Sequence, residues 1–466
     1  MNFEFPQDSA LPIEVSARPV EEFQDSIGVC AHFSGPCEKE LDFMEEAGIR
    51  LLREEMCWVW VEKEKGELKI PEEKLAWIHE ANKRGIRILM ILNYGNPVYP
   101  DYGIGSAKHP DQEFQIFRRY VDFAVRELKD YVHAWEIWNE PNLFFFNGQY
   151  GGDWRGGNWT KHFARLSDKT LEDIRKLHEE AKVYTAGMEA PIADLLIPHL
   201  KGEYDAIAVH PYCHPLMPEY PLGGMERLRR NAVQHGHDVP FIITEQGYPT
   251  ISGKGKFMWG HSATLSEKDQ ARFLLRSICG NFMRGIPRTY WYDLVCDGTD
   301  TEDQEHNFGI LHHRAESTRP AYEALKKFHT VLSAESDPMV SGCDEVRGRN
   351  VKLRFDPAPS SPPRAILLCK NAVHYYLILW KESGTSNILT RDGNNASKRP
   401  FHDNGDPENV SVSLSSFSAG RMNAAYIDPV ETEAKAKKMT VYNNGLEDVM
   451  QISLKESPVI IELTFS

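Results

Sequence analysis

Two glutamates, Glu140 and Glu245, each close an apolar run, and together they are the residues best placed to do chemistry. Glu140 ends the stretch Val132-His133-Ala134-Trp135-Glu136-Ile137-Trp138-Asn139-Glu140, and Glu245 ends Pro240-Phe241-Ile242-Ile243-Thr244-Glu245. A carboxylate at the end of a strand-like run stands at a strand mouth, where barrels and open sheets place reacting groups. Two carboxylates in different surroundings can divide the work, one giving and taking a proton while the other stays ionised. Pro141 has no N–H with which to continue a sheet ladder. It is expected to hold Glu140 extended, since the residue before proline avoids the helical region. Strict strand alternation would send Asn139 and Glu140 to opposite faces, so for both to reach one pocket the strand must bulge or end there.

Two such mouths need a scaffold on which strand ends converge. Strand-like and helical patterns alternate over residues 21–334. Strands are expected at 26–33, 49–53, 86–93, the run from 132, 183–187, 204–210, 240–245 and 288–294. Helices are expected at 38–47, 72–84, 113–129, 171–181, 225–235, from Ser266 onward, and at 319–332. The 86–93 run is almost wholly apolar, as in a parallel strand covered on both faces. Ser266 with Asp269 three residues on reads as a capping box ahead of a buried stripe of Ala271, Leu274, Leu275, Ile278 and Phe282. Eight strands interleaved with helices fit a (β/α)8 barrel better than an open doubly wound sheet, and no Gly-x-Gly-x-x-Gly marks a nucleotide fold. From 335 to 466 the texture changes to short alternating runs between polar turns, the pattern of an antiparallel β-sandwich with no chemistry of its own. Residues 1–20 form a separate N-terminal segment, and the family resemblance given below implies that it lends that sandwich a strand.

Composition narrows the partners. In 466 residues, 41% hydrophobic content with 11% aromatics is ample for packed cores. The net charge of 53 − 68 = −15 argues against nucleic acid and anionic membrane surfaces. No stretch approaches the ~20 apolar residues of a membrane span. Residues 1–6 show neither the basic region nor the apolar core of a signal peptide, and the compartment stays open. The eight cysteines are scattered without a Cys-x-x-Cys, so buried free thiols are expected rather than disulfides or zinc ligands.

If the barrel is right, residues at the other strand ends share the pocket with the two acids. Those ends supply Arg53, Asn93, His210, Tyr212 and Trp291, and the loop after the second strand supplies Trp58. Glu136 is expected deeper in the barrel, on the same strand face as Trp138. His32, His210, His214, His312 and His313 invite a metal reading, but no His-x-His follows the first strand, so neither a catalytic metal nor a cofactor is expected. Aromatic loops at 56–62 and 143–159, with Tyr94-Gly95-Asn96-Pro97, suit stacking on sugar faces.

Trp138-Asn139-Glu140-Pro141 resembles the acid/base motif of the clan A glycoside hydrolases, whose catalytic domain is an eight-stranded β/α barrel. Thr244-Glu245-Gln246-Gly247 looks like the nucleophile motif of the same clan, again on the expected strand. The resemblance implies that Glu140 protonates the leaving oxygen and that Asn139 binds the sugar 2-hydroxyl. It implies further that Arg53 flanks the nucleophile, that the Tyr212 phenol hydrogen-bonds it, and that Trp291 floors the sugar subsite ahead of a cis peptide at Trp291–Tyr292. Asn307-Phe308-Gly309-Ile310-Leu311 and Arg319-Pro320-Ala321-Tyr322-Glu323 are similar to the closing stretch of many clan members. Within the clan the chain looks most like the β-xylosidase and α-L-iduronidase family. The activity implied is retaining hydrolysis of a β-glycoside in a neutral glycan or oligosaccharide. An endo-glycanase or transglycosylase with the same pair, and a non-catalytic glycan-binding barrel, are the alternatives.

Overall fold

The computed structural model describes residues 12–33, 35–99, 110–144, 159–213, 217–219, 222–250, 265–333, 348–382, 407–415, 421–431, 435–443 and 445–465. Most of the 143–159 loop and His214 lie outside them. The chain opens with β1 (Ile13–Pro19) and the short helix α1 (Val20–Gln24), then enters a parallel sheet. Its strands are β2 (Ile27–Cys30), β3 (Leu51–Cys57), β4 (Arg87–Asn93), β5 (Val132–Ile137), β6 (Lys182–Tyr184), β7 (Ile207–Val209), β8 (Phe241–Gln246) and β9 (Thr289–Trp291). They lie in the order β6-β5-β4-β3-β2-β9-β8-β7, and a parallel bridge between Tyr184 and Ala206 brings β7 back to β6. The expected (β/α)8 barrel is therefore present.

The helices that follow the strands are α2 (Glu38–Glu46), α3 (Trp58–Val61), α4 (Glu72–Lys83), α5 (Pro110–Leu128), α6 (Pro141–Phe144), α7 (Thr160–Leu177), α8 (Ala190–Leu196), α9 (Leu222–Gln234), α10 (Glu267–Met283) and α11 (Pro320–Ser333). The capping box holds: Ser266 Oγ accepts from the Asp269 amide and Asp269 answers to the Ser266 amide, fixing where α10 begins. Inside the barrel a small layer of Cys30, Leu51, Leu89, Ala134, Ala208, Ile242 and Tyr290 fills the space below the mouth. No helix among the described residues is long and apolar enough to cross a membrane.

The second unit comprises β10 (Asn350–Asp356), β11 (Pro363–Asn371), β12 (His374–Lys381), β13 (Glu408–Ser415), β14 (Met422–Ile427), β15 (Lys437–Met439), β16 (Val441–Asn443), β17 (Glu447–Leu454) and β18 (Val459–Phe465). β1 pairs antiparallel with β10 through residues 13–16 and parallel with β11 through residues 17–19, so one strand links the two halves of this sheet. Val351, Leu353, Val412 and Ile452 of one half meet Leu367, Leu377 and Ile461 of the other in a common core. The opposite face of β11, β12 and β18 presents Ile366, Leu368, Tyr376, Ile378, Trp380 and Ile460 to the barrel's outer core. That is why these strands read as continuous apolar runs rather than alternating ones: both faces are covered. Arg18 ties the units together, its guanidinium 3.5 Å above the Phe282 ring and donating to the Phe282 carbonyl at 2.8 Å. Six described cysteines are free and buried, whereas Cys369 is disulfide-bonded, against the expectation of free thiols. Scattered spacing carries no information about which thiols meet.

Candidate active site

The barrel mouth opens into a cleft of about 370 Å³ lined by Arg53, Glu54 and Glu55 of β3, by Asn139 and Glu140 beyond β5, and by Tyr212, Glu245 and Tyr292. Two local conformations aim the β5 residues. The strand ends at Ile137, and Trp138 adopts φ +73°, which breaks the alternation. Trp138 therefore turns outward to pack on Phe117 and Phe163, leaving Asn139 to point inward beside Glu136. Glu140 follows at φ +43°, in the left-handed region rather than extended as Pro141 led us to expect. Its amide donates to the Gly187 carbonyl at 3.1 Å, and α6 starts at the proline, so strand end and helix start together fix the turn. Tyr94, φ +65°, makes a similar turn after β4. Backbone conformations of this kind cost energy and persist where the surroundings over-determine them, most often at functional sites.

Arg53 organises the floor. Its Nε and Nη2 donate to Glu136 at 2.7 and 3.1 Å, Nη2 also to Asn139 Oδ1 at 2.8 Å, and Nη1 to Glu245 Oε1 at 2.7 Å. Glu136 is fully buried and accepts further bonds from the Gly187 amide at 2.9 Å and Thr244 Oγ1 at 3.1 Å, so its charge is satisfied below the cleft. Gly187 must lack a side chain: a Cβ there would collide with His210 Nε2, Thr244 Oγ1 and Glu136 Oε1.

Tyr212 Oη donates to Glu245 Oε2 at 2.9 Å. Burial alone would raise the Glu245 pKa, but His210, Arg53 and the Tyr212 hydroxyl outweigh it and hold the carboxyl below its ordinary value. His210 sits directly behind the cleft, fully buried, with Nδ1 3.1 Å from Glu140 Oε1 and 3.6 Å from Glu245 Oε2. Thr244 spends its proton on Glu136, so its oxygen accepts from His210 Nε2–H at 3.0 Å, which leaves Nδ1 to serve the acids. Burial opposes charge on His210, yet the two carboxylates prevail and its pKa is raised. One oxygen each of Glu140 and Glu245 and a ring nitrogen of His210 all lie within 4.8 Å of one another. Cys30 also lines the cleft, but burial pushes its thiol well up and removes it as a nucleophile.

No protein-family model matches the sequence, and no curated protein does. The fold is shared with solved structures. A family 39 glycoside hydrolase from the gut symbiont Bacteroides cellulosilyticus WH2 superposes with a TM-score of 0.62 at 18% identity, covering 97% of this chain and 83% of that one. The α-L-arabinofuranosidase of Thermotoga maritima in complex with arabinose gives 0.57 at 12% identity, covering 98% and 100%. A GH30 endoxylanase from Clostridium papyrosolvens C71 gives 0.53 at 10% identity, covering 97% and 98%. In all three the likeness takes in nearly the whole chain, both units included.

Not every residue singled out by the sequence reaches the cleft. Trp291 is 1% exposed and faces the barrel's outer core, its ring stacked on Tyr248 at 6.2 Å. Alternation along β9 explains the correction: Tyr290 and Tyr292 point inward, so Trp291 points out. The aromatic wall is instead Tyr292 with Phe308 and Tyr212, at ring separations of 5.1 and 6.3 Å from Tyr292. The cis peptide lies one bond later than expected, at Tyr292–Asp293. Trp58 is buried between Tyr99 and Tyr120 and donates to Glu62 at 2.7 Å, because β3 runs on to Cys57 and the chain turns at once into α3. Asn93 is buried one layer back, its amide donating to Glu55 Oε1 at 2.8 Å. The sequence reading stopped the second barrel strand at Arg53 and so missed Glu54 and Glu55. The signal was the three consecutive charges in Leu51-Leu52-Arg53-Glu54-Glu55-Met56-Cys57, flanked by apolar residues on both sides. Glu305, which also lines the cleft and accepts from Tyr292 Oη at 3.1 Å, sits in a polar loop with no such mark.

Proposed function

We propose that this chain is a retaining glycoside hydrolase of clan A type, with Glu245 as nucleophile and Glu140 as acid/base. The observation that carries the reading is the pair itself: two carboxylates within 4.8 Å through His210, one clamped by donors and the other bonded, among the described residues, by the ring alone. Retaining enzymes keep their carboxyl groups ~5–5.5 Å apart, whereas inverting ones leave ~6.5–9.5 Å for a water. Glu245, anionic between Arg53 and Tyr212, attacks the anomeric carbon while Glu140 delivers its proton to the departing oxygen. The bond to the leaving group breaks as the glycosyl ester forms. Water then attacks the same carbon, giving its proton to Glu140 and releasing Glu245 as carboxylate. His210 Nδ1 fixes one oxygen of Glu140, leaving the other for the proton. Asn139, bonded to Arg53 and to Tyr94 Oη at 3.2 Å, is placed to meet a sugar hydroxyl.

The charge balance supports a neutral sugar. Arg53, the arginine among the described residues that line the cleft, is committed to Glu136 and Glu245 and so is not free for an anionic sugar. Within the β-xylosidase and α-L-iduronidase family that the motifs resemble, this favours the neutral pentoside over the uronide. A panel of aryl β-glycosides tests the reading, with the anomeric form of the first-released sugar followed by NMR. Retention is expected. Inversion, or no turnover of any aryl glycoside or glycan, would overturn it.

A further inference from the structure

We propose that His32, Asp293 and Asp297 form a binding site for a divalent transition-metal cation on the rim of the cleft. β2 and β9 pair in parallel, Val29 opposite Trp291, and the Leu294 amide donates to the Cys30 carbonyl at 2.9 Å. The segments that continue these strands are therefore held side by side, His32 on one and Asp293 on the other. The Asp297 loop is fixed in turn, Cys296 N donating to Leu311 O at 3.0 Å.

One donor pair stands at a chelating distance before any ion is added, and the third donor is close by. One donor atom from each of the three residues lies within 4.8 Å of the other two, and His32 Nδ1 is 3.3 Å from Asp297 Oδ1. Two donors each ~2.1 Å from a common ion, at angles between octahedral and tetrahedral, stand roughly 3.0–3.4 Å apart. The second observation is independent of the spacing. Asp293 is 1% exposed and its Oδ1 has no hydrogen-bond partner. A buried carboxylate oxygen left in that state is costly, and a cation removes the cost. Arg319 spends its donors on Glu267, Thr250, Cys296 and the carbonyls of Asn307 and Gly309 instead. Glu54 lies nearby with its Oε2 buried and without a partner, its Oε1 being paired to Lys74 at 3.1 Å. Asp297 and His32 are more than a third exposed, leaving a way in and room for water ligands.

One imidazole among carboxylates favours zinc or manganese over calcium and magnesium, which prefer all-oxygen shells. Such an ion takes no part in the double displacement. It would anchor the His32 ring, which meets Tyr292 edge-on at 5.5 Å, and so stiffen that wall of the cleft.

The test uses the full chain, stripped with chelator and titrated with Mn2+ by electron paramagnetic resonance, with Zn2+ as competitor. We expect one equivalent bound and displaced by Zn2+, a metal-dependent rise in thermal midpoint, and at least tenfold weaker binding in Asp293→Asn. Asp297→Asn, at a half-exposed position, gives the same reading should Asp293→Asn fail to fold. Glu245→Gln should bind like the wild type, since the other three-donor cluster among the described residues is Glu140, His210 and Glu245. No stoichiometric binding, wild-type affinity in the aspartate variants, or loss of the ion in Glu245→Gln would each overturn the proposal.

Discussion

Glu245 and Glu140 face one cleft from opposite walls, yet their surroundings could hardly differ more. Glu245 is 7% exposed and held by a guanidinium and a phenol, with an imidazole at 3.6 Å. Glu140 keeps a fifth of its side chain exposed, and its carboxylate meets the His210 ring alone among the hydrogen bonds described. A group fixed by charge-assisted bonds is pre-organised as an anion, which suits a nucleophile. A group that keeps part of its side chain exposed can give up one proton and take one back in each turnover, which suits an acid/base. The contrast supports the proposed roles without reference to any motif, and the same contrast is where the proposal can be broken.

The largest effect is expected at the clamped acid. Glu245→Ala should lower kcat on the order of 10^5–10^6-fold on every substrate, because no glycosyl ester can form. Stopped-flow burst experiments check it, and a surviving burst would transfer the nucleophile role elsewhere. Glu140→Ala should cost about 10^2–10^4-fold on poor leaving groups and much less on activated aryl glycosides, which need no protonation. Activated substrates should then show a burst followed by slow turnover, with azide restoring the rate by replacing the missing base. Equal losses on both substrate types, with no response to azide, would reverse the contrast.

Much of this arrangement was legible in the sequence, and the failures are physically instructive. Alternating apolar runs and the Ser266 capping box located the barrel, because buried strands and helix starts obey local rules. Glu140 and Glu245 stood out because a carboxylate ending an apolar run is conspicuous. Glu54 and Glu55 were hidden, because consecutive charges look like the end of a strand unless their partners Lys74 and Asn93 are known, and those lie 20 and 38 residues away. Trp291 misled for the opposite reason: its type suited a sugar floor, but strand parity, which the run 288–294 did not fix, turned it outward. The left-handed turns at Trp138 and Glu140 are held by contacts distant in sequence, Trp138 N donating to the Leu92 carbonyl and Glu140 N to that of Gly187, which no local pattern encodes.

A smaller, sharper test lies in the clamp itself. Tyr212→Phe removes one hydrogen bond to a charged group, worth about 1.5–3 kcal/mol, so kcat/KM should fall roughly 10- to 150-fold. The sign of the pH effect follows from the direction of the Glu245 shift. Tyr212 helps lower that pKa, so without it the carboxyl protonates at higher pH, and the acid limb of kcat/KM should move upward. An unmoved limb would mean that Glu245 is not the group titrating there.

The smallest effect separates the two neighbouring aromatics of β9. Tyr292→Phe keeps the ring on the cleft wall and removes only its bond to Glu305, about 0.5–1.5 kcal/mol, so kcat/KM should fall by roughly a factor of 2–12 with little change in thermal midpoint. Trp291→Phe should do the reverse. Its indole packs on Tyr248 in the barrel's outer core, so shrinking it leaves a void that lowers the thermal midpoint, while KM stays near the wild-type value. Measured side by side, the two variants read strand parity through function: whichever ring faces the sugar changes KM, and whichever faces the core changes stability. A larger KM effect from Trp291→Phe than from Tyr292→Phe would mean that the parity of β9, and with it the aromatic wall described above, is wrong by one residue.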